Sequence, residues 1–110
     1  MRAVTCLYLY NGDEKFFGEG PRLLLRAIDE YGSLRAAAKS MHLSYSKALH
    51  MIANVEKALG FIVTEKVIGG RGGGGSILTK EAKAFLQTYE AYKEACDEAN
   101  SKLYHTYFSK

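Results

Sequence analysis

The 110 residues predict a mainly α-helical fold with a small β component. Three observations carry this prediction. Apolar residues recur at helical spacing through the middle of the chain and along residues 79–108, helix-capping residues bound these segments, and short β-branched or aromatic runs lie at the N-terminus and around a glycine-rich stretch. The length favours one domain, residues 1–110, and the 47% hydrophobic content excludes a disordered chain.

The first 19 residues predict a strand or hairpin. Residues 3–10 are β-branched and aromatic, and the turn signal Asn11-Gly12 follows them directly. The short run "KFF" after this turn predicts an antiparallel partner strand.

Residues 20–60 predict three helices. Pro21 suits the first helical position, where the N–H that proline lacks would have no intrahelical acceptor, and Gly32 suits the left-handed residue that ends a helix. Ser33 and Ser44 are the expected N-caps of the next two helices, and Gly60 is expected to end the third. The residues expected on buried faces are Leu24, Ala27, Ile28 and Tyr31 in the first helix and Ala48, Ile52, Val55 and Leu59 in the third.

The last part of the chain predicts a second hairpin and a long helix. Residues 61–68 predict a strand, the glycine-rich residues 69–75 follow, and a short strand returns, so that the hairpin spans residues 61–78. Thr79 is the expected N-cap of a helix that continues to residue 108. Such a helix is about 40 Å long, which exceeds the need of a compact domain of this size.

Positive charge is concentrated in the middle of the chain. The net charge is +3, yet residues 22–83 carry +5 and the segments on either side carry −1 each. A basic middle favours a unit that binds a polyanion. The two cysteines form no CxxC pair and the three histidines lack metal-ligand spacing, so we expect neither a disulfide nor a metal site.

The apolar run near the N-terminus is too short for a signal peptide or a membrane span. We therefore expect a cytoplasmic protein with no membrane partner. No constellation of Ser/His/Asp, Cys/His or paired carboxylates stands out, which argues against an enzyme.

The glycine-rich residues 69–75 admit three interpretations. A phosphate loop of the GxxxxGK[ST] type is disfavoured, because Ser76 and Ile77 follow Gly75 where lysine and serine or threonine are needed. A hairpin tip or linker without a ligand is a second interpretation. The third is a tip whose glycines approach another backbone closely while Arg71 pairs with phosphate or enters a minor groove.

The helix pair before this hairpin favours the third interpretation. An alanine-rich helix, a turn at residues 40–43 and a helix that begins with small polar residues have the layout of a helix-turn-helix, with Leu43 as the apolar plug of the turn. The first turns of the second helix in such motifs face base edges in the major groove. An ordinary amphipathic helix with a solvated polar face is the alternative interpretation.

The stretch "LLRAIDEYGSLRAAAKSMHLSYSKALHMIANVEKALG" resembles the helix-turn-helix shared by LysR-type regulators and ModE molybdate-responsive repressors. The stretch "GGRGGGGSILT" and the strand before the first helix are more similar to ModE. The resemblance covers roughly residues 3–107. It implies a winged helix-turn-helix that dimerises through its long terminal helix and binds a palindromic operator.

The resemblance assigns roles to particular residues. The recognition helix is then Tyr45–Leu59, and residues 69–75 form the wing. The residues expected to contact bases or phosphates are Ser44, Tyr45, Ser46, Lys47, His50, Asn54, Arg71, Gly72 and Gly73, with Arg35 and Lys39 restricted to backbone contacts. The residues expected at the dimer contact are Phe85, Tyr89, Tyr92, Cys96, Leu103 and Tyr107.

The expected partners are double-stranded DNA and a second copy of the chain, and molybdenum-related genes are the expected targets. The 110 residues hold no counterpart of the molybdate-binding domain of the family, so we expect no cofactor here. A separate ligand-sensing protein stays open as a partner. The alternative function is a winged-helix module that heterodimerises with a larger regulator or an oxyanion-binding protein.

Overall fold

The computed structural model describes residues 1–68 and 75–109. Within them the chain forms two antiparallel hairpins and four helices, which confirms the mainly α fold with a small β component. In chain order the elements are β1 (Leu9–Asn11), β2 (Glu14–Phe17), α1 (Glu19–Tyr31), α2 (Leu34–Ser40), α3 (Tyr45–Leu59), β3 (Thr64–Val67), β4 (Gly75–Leu78) and α4 (Lys80–Phe108).

Local capping interactions fix the ends of the central helices as predicted. The Ser33 hydroxyl accepts a hydrogen bond from the Ala36 N–H at 2.9 Å, and the Ser44 hydroxyl accepts one from the Lys47 N–H at 3.0 Å. Gly32 and Gly60 end α1 and α3 in the left-handed conformation, with φ of 73° and 79°. These caps confirm the predicted bounds of α2 and α3.

The start of α1 differs from the prediction. The helix begins at Glu19, so Pro21 is its third residue and not its first. The position is tolerated because the first four N–H groups of a helix have no intrahelical acceptor.

A single core unites all four helices. The residues that are at most 2% exposed are Phe17, Leu24, Leu25, Ile28, Ala37, Ala38, Ala48, Val55, Val63, Ala82, Leu86 and Tyr89. Tyr31 does not belong to the core, since it is the last residue of α1 and 52% exposed. Leu25, which the sequence did not single out, completes the buried face of α1.

The N-terminal strand is shorter than predicted. Only Leu9–Asn11 pairs with β2, because β2 ends at Phe17 opposite Leu9 and the chain then enters α1. Thr5 and Leu7 contact α4 instead. The Tyr89 hydroxyl donates to the Leu7 carbonyl at 2.7 Å, and the Asn100 side-chain amide donates to the Thr5 hydroxyl at 2.8 Å.

The root of the second hairpin is joined to two helices. The buried Thr79 caps α4 by accepting from the Ala82 N–H at 3.1 Å, and its hydroxyl donates to the Ile62 carbonyl at 2.7 Å. On the α3 side, the Val63 N–H donates to the Glu56 carboxylate at 2.8 Å. Side-chain and backbone bonds therefore fix the position of β3 relative to α3 and α4.

Gly75 allows β4 to approach the turn between α1 and α2. The Ser76 N–H donates to the Gly32 carbonyl at 2.8 Å. A Cβ atom on residue 75 would lie 2.3 Å from that carbonyl oxygen, which is far inside van der Waals contact. This close approach explains the last glycine of the glycine-rich stretch.

Ion pairs join α1 to α4 outside the core. Glu90 of α4 accepts hydrogen bonds from Arg22 and Arg26 of α1, including Arg26 Nε at 2.9 Å and Arg22 Nη1 at 3.0 Å. The hydrogen bond from Arg26 is the main cause that lowers the pKa of Glu90 below its ordinary value, and Arg22 adds to it.

We expect Gly75→Ala to destabilise the protein by about 1–3 kcal/mol, because the added methyl group collides with a backbone oxygen that cannot rotate away. Denaturant unfolding measures this loss. Gly20→Ala is the matched control, since its Cβ would make an ordinary contact of 3.7 Å with Met51 inside a helix, and it should cause no loss. Equal stabilities of wild type and Gly75→Ala would contradict the close approach.

We expect Glu90→Gln to weaken the pH dependence of stability in acid. Because the pKa of folded Glu90 lies below its ordinary value of 4.5, the carboxylate stabilises the fold above that pH. This contribution is lost as the pH falls through the lowered folded pKa. The pair is partly exposed, so the difference is about 1 kcal/mol or less.

Unfolding free energies at several pH values between 7 and about 3 check this expectation. Glu94→Gln, an exposed neighbour on α4, is the control for changed net charge. Parallel pH profiles for Glu90→Gln and wild type would show that the α1–α4 ion pairs do not stabilise the fold.

Candidate nucleic-acid interface

The exposed side of α3 is centred on Ser46, His50 and Ala53. These residues are spaced by four and three, so they share one side of the helix, and all three are exposed. Ala48, Ile52 and Val55 form the opposite, buried side of α3, which confirms three of the four predicted core positions. Leu59, the fourth, is partly buried against the same core. Ser46 and His50 therefore point farthest from the core and are exposed.

One flank of α3 faces the β3–β4 hairpin. Tyr45 lines a cleft of about 410 Å³ there, together with Arg35 of α2 and Lys66 of β3. The Arg35 guanidinium lies 4.4 Å from the centroid of the Tyr45 ring, in a cation–π contact. Arg35 therefore orients Tyr45 while both side chains remain exposed.

The other flank of α3 faces the β1–β2 hairpin. Lys47, Met51 and Asn54 recur at spacings of four and three and line a cleft of about 500 Å³, to which β2 contributes Lys15. The sequence analysis predicted base or phosphate contacts for Tyr45, Lys47 and Asn54 alike. The structure places Tyr45 in one cleft and the other two in the opposite cleft, because they lie on different sides of the helix.

The turn between α2 and α3 is compact. Leu43 is partly buried against the core and its N–H donates to the Ala38 carbonyl at 2.9 Å, which confirms its predicted role as the apolar plug. His42 takes the left-handed conformation with φ of 57°. Ser44 caps α3 through its side-chain oxygen, and Lys39 is exposed in the last turn of α2.

Lys66 is a cationic residue of this surface that the sequence interpretation missed. In the β3–β4 register Lys66 pairs with Ser76, and both line the cleft beside Tyr45. Successive side chains of a strand point to opposite faces, so the register would have indicated that Lys66 lies on the side of Tyr45. Arg71, Gly72 and Gly73, the predicted wing contacts, lie outside the described residues.

Two of the residues predicted for the dimer contact pack inside the chain itself. Tyr89 is 2% exposed, and its ring lies 4.7 Å from that of Phe17 in an edge-to-face arrangement. Phe85 packs against the same ring at 4.8 Å. Assigning Tyr89 to a dimer contact was therefore wrong, because the N-terminal hairpin already covers this part of α4.

The other predicted dimer residues remain accessible on α4. Tyr92, Leu103 and Tyr107 are 53%, 57% and 78% exposed, and Cys96 is partly buried. Within residues 1–68 and 75–109, no helix has the length and apolar character needed to cross a membrane.

Comparisons with known proteins agree with this geometry. The DNA-binding transcriptional dual regulator ModE of Escherichia coli K12 is 33% identical over 78 residues, which cover 70% of this chain and 30% of that protein. The molybdenum transport protein ModE of Azotobacter vinelandii is 34% identical over 84 residues, covering 73% of this chain and 31% of that protein. The chain thus spans about a third of the length of these curated relatives.

A solved structure has the same fold. A chain of the structure described as "Crystal structure of CbnR_DBD-DNA complex" matches with a TM-score of 0.58 at 23% identity, covering 79% of this chain and 94% of that chain. The family described as "Bacterial regulatory helix-turn-helix protein, lysR family" matches residues 23–83, which is more than half of the chain and includes all of α2, α3, β3 and β4. The chain therefore belongs to the lysR family of bacterial regulatory helix-turn-helix proteins.

Proposed function

We propose that the protein is a transcriptional regulator that binds a palindromic DNA operator as a homodimer. The observation that carries the proposal is the exposed side of α3, where Ser46 and His50 project between two clefts that each hold basic side chains. Base readout by the projecting side and phosphate contacts on the flanks fit a helix in the major groove.

The α3 surface limits how bases can be read. In α3 the exposed polar groups are two hydroxyls, an imidazole, an amide and lysine amines, and arginine is not among its residues. Arginine is the commonest specific reader of guanine, so recognition here rests on His50, Ser46 and Asn54 together with DNA shape. Arg35 and Lys66 supply phosphate contacts on the wing side, and we propose that Arg71 does the same from the wing.

The exposed half of α4 is the proposed dimer contact. Leu103, Tyr107 and Phe108 are all more than half exposed, which is costly for a helix that stays alone in water. Pairing of two α4 helices would bury them and set two α3 helices roughly 34–36 Å apart, one turn of DNA. The relatives named ModE support a target among molybdenum-related genes. Since bacterial DNA lies in the cytoplasm, the protein acts there, and it acts by binding without catalysing a reaction.

The same exposed aromatic residues also fit the alternative function, a module that pairs with a larger regulator or an oxyanion-binding protein. Tyr92 and Tyr107 would then contact a different chain. The mass of the purified protein in solution distinguishes these functions, because the homodimer proposal requires twice the 12.2 kDa of one chain.

We expect selection from a random duplex pool at two salt concentrations to enrich an inverted repeat, because a two-fold dimer presents two identical α3 helices. Light scattering on the same sample should give the dimer mass. Weak, salt-sensitive binding without an enriched motif, from a monomer, would instead support the heterodimer module.

We expect His50→Ala and Lys66→Ala to affect DNA binding in different ways. His50→Ala should change the preference between operator variants by about 1–3 kcal/mol at the contacted base, because its side chain faces outward from α3. Lys66→Ala should weaken binding evenly across sequences and lower the salt slope by about one unit. Fluorescence anisotropy against a set of single-base variants measures both.

Lys83→Ala, an exposed position in the first part of α4 that lines neither cleft beside α3, is the control for the loss of one positive charge. If His50→Ala lowered the affinity equally for all operator variants, that result would argue against base readout by α3. A salt slope that Lys66→Ala leaves unchanged would remove Lys66 from the phosphate contacts.

A further inference from the structure

We propose that the N-terminal β1–β2 hairpin is a second DNA-contacting arm, and that Lys15 binds a backbone phosphate on the side of α3 opposite the β3–β4 hairpin. This inference rests on the proposed function and extends it to the second phosphate strand that borders the major groove. Its occupant is the sugar-phosphate backbone of the duplex whose bases face Ser46 and His50.

The position of the cleft beside the N-terminal hairpin supports this inference. Lys15 of β2 and Lys47 of α3 both line it, and Asn54 borders it on the α3 side. Lys47 follows Ser46 directly and Asn54 lies one turn beyond His50, so the cleft adjoins the surface that would meet bases. A phosphate strand that runs along this flank of α3 would pass between the two lysines.

Lys15 is oriented by local packing. Its ammonium lies 4.7 Å from the centroid of the Tyr8 ring, in a cation–π contact. Tyr8 in turn packs against the backbone of Gly18, where a Cβ atom would lie 2.8 Å from the ring. The absence of a side chain at Gly18 thus lets the Tyr8 ring pack there and hold the exposed Lys15 ammonium in place. Because this ammonium is already positioned, binding a phosphate costs less side-chain entropy.

The charges around this cleft favour a polyanion. Glu19 also lines it, but the Arg22 guanidinium hydrogen-bonds this carboxylate and holds its pKa below the ordinary value. Lys57, farther along α3, borders a neighbouring cleft with Lys15 and Glu14. The two clefts are therefore lined by three lysines, on β2 and α3, and by two acids, Glu14 and Glu19, of which Glu19 is already paired with Arg22.

A recognition helix in the major groove lies between two phosphate strands. The major groove is about 12 Å wide and is bounded by two phosphate strands. The cleft with Arg35 and Lys66 lies on one flank of α3, and the cleft with Lys15 and Lys47 lies on the other. A helix inserted with Ser46 and His50 toward the bases would bring one strand to each flank.

Lys15→Ala tests this contact on the full chain with the selected operator. The expected result is a loss of affinity of about 3- to 10-fold that is equal across operator variants, with a salt slope lower by about one unit. Lys15→Arg should retain binding, and Lys83→Ala should leave affinity unchanged. Ethylation interference should show one phosphate per half-site that matters for wild type and not for Lys15→Ala.

The outcomes separate the two proposals. If wild type binds no duplex, the proposed function fails. If wild type binds its operator and Lys15→Ala has the same affinity and salt slope, the function stands and the hairpin contact is overturned. A lower affinity with an unchanged slope also overturns the contact, because Lys15 would then act through folding, and thermal unfolding of Lys15→Ala and Lys15→Gln would show that loss of stability.

Discussion

The position of the β3–β4 hairpin beside α3 depends on one close backbone contact, between the Gly32 carbonyl and the Ser76 N–H. It joins the end of α1 to the start of β4, and the bare Cα of Gly75 is what allows it. Thr79 and Glu56 then fix the other strand of the hairpin to α4 and α3. A hairpin held at both strands has a defined position beside Tyr45, which a hairpin joined only by flexible chain would not have.

The two flanks of α3 have a similar arrangement. One small hairpin packs on each flank, and each flank carries one cation–π pair at its exposed rim. On one flank the cation is Arg35 over Tyr45, and on the other it is Lys15 over Tyr8. Aromatic rings keep both cations close to α3 without neutralising them, so their charge remains available for a polyanion.

The long α4 divides into two parts with different environments. Its first three turns are covered by the core and by the N-terminal hairpin, with Phe17 as the shared contact of Phe85 and Tyr89. Glu90 adds the ion pairs with α1, and Asn100 holds the N-terminal segment. Beyond this, Leu103, Tyr107 and Phe108 are exposed near the end of the helix. The core thus holds one end of α4 and leaves apolar side chains of the other end exposed.

The sequence by itself determined where α2, α3 and α4 begin, because capping acts between residues three apart: Ser33, Ser44 and Thr79 each accept a hydrogen bond from an N–H three residues on. It also determined the buried residues Ala48, Ile52 and Val55 of α3, which follow from helical periodicity. Only the tertiary structure decided that Tyr89 is buried, that Tyr31 is exposed, and that Thr5 and Leu7 contact α4. Burial and strand pairing depend on which distant element arrives as a neighbour, and no local pattern in the chain encodes that choice. For the same reason Lys15 and Lys66 became visible as neighbours of α3 only once both hairpins were in place.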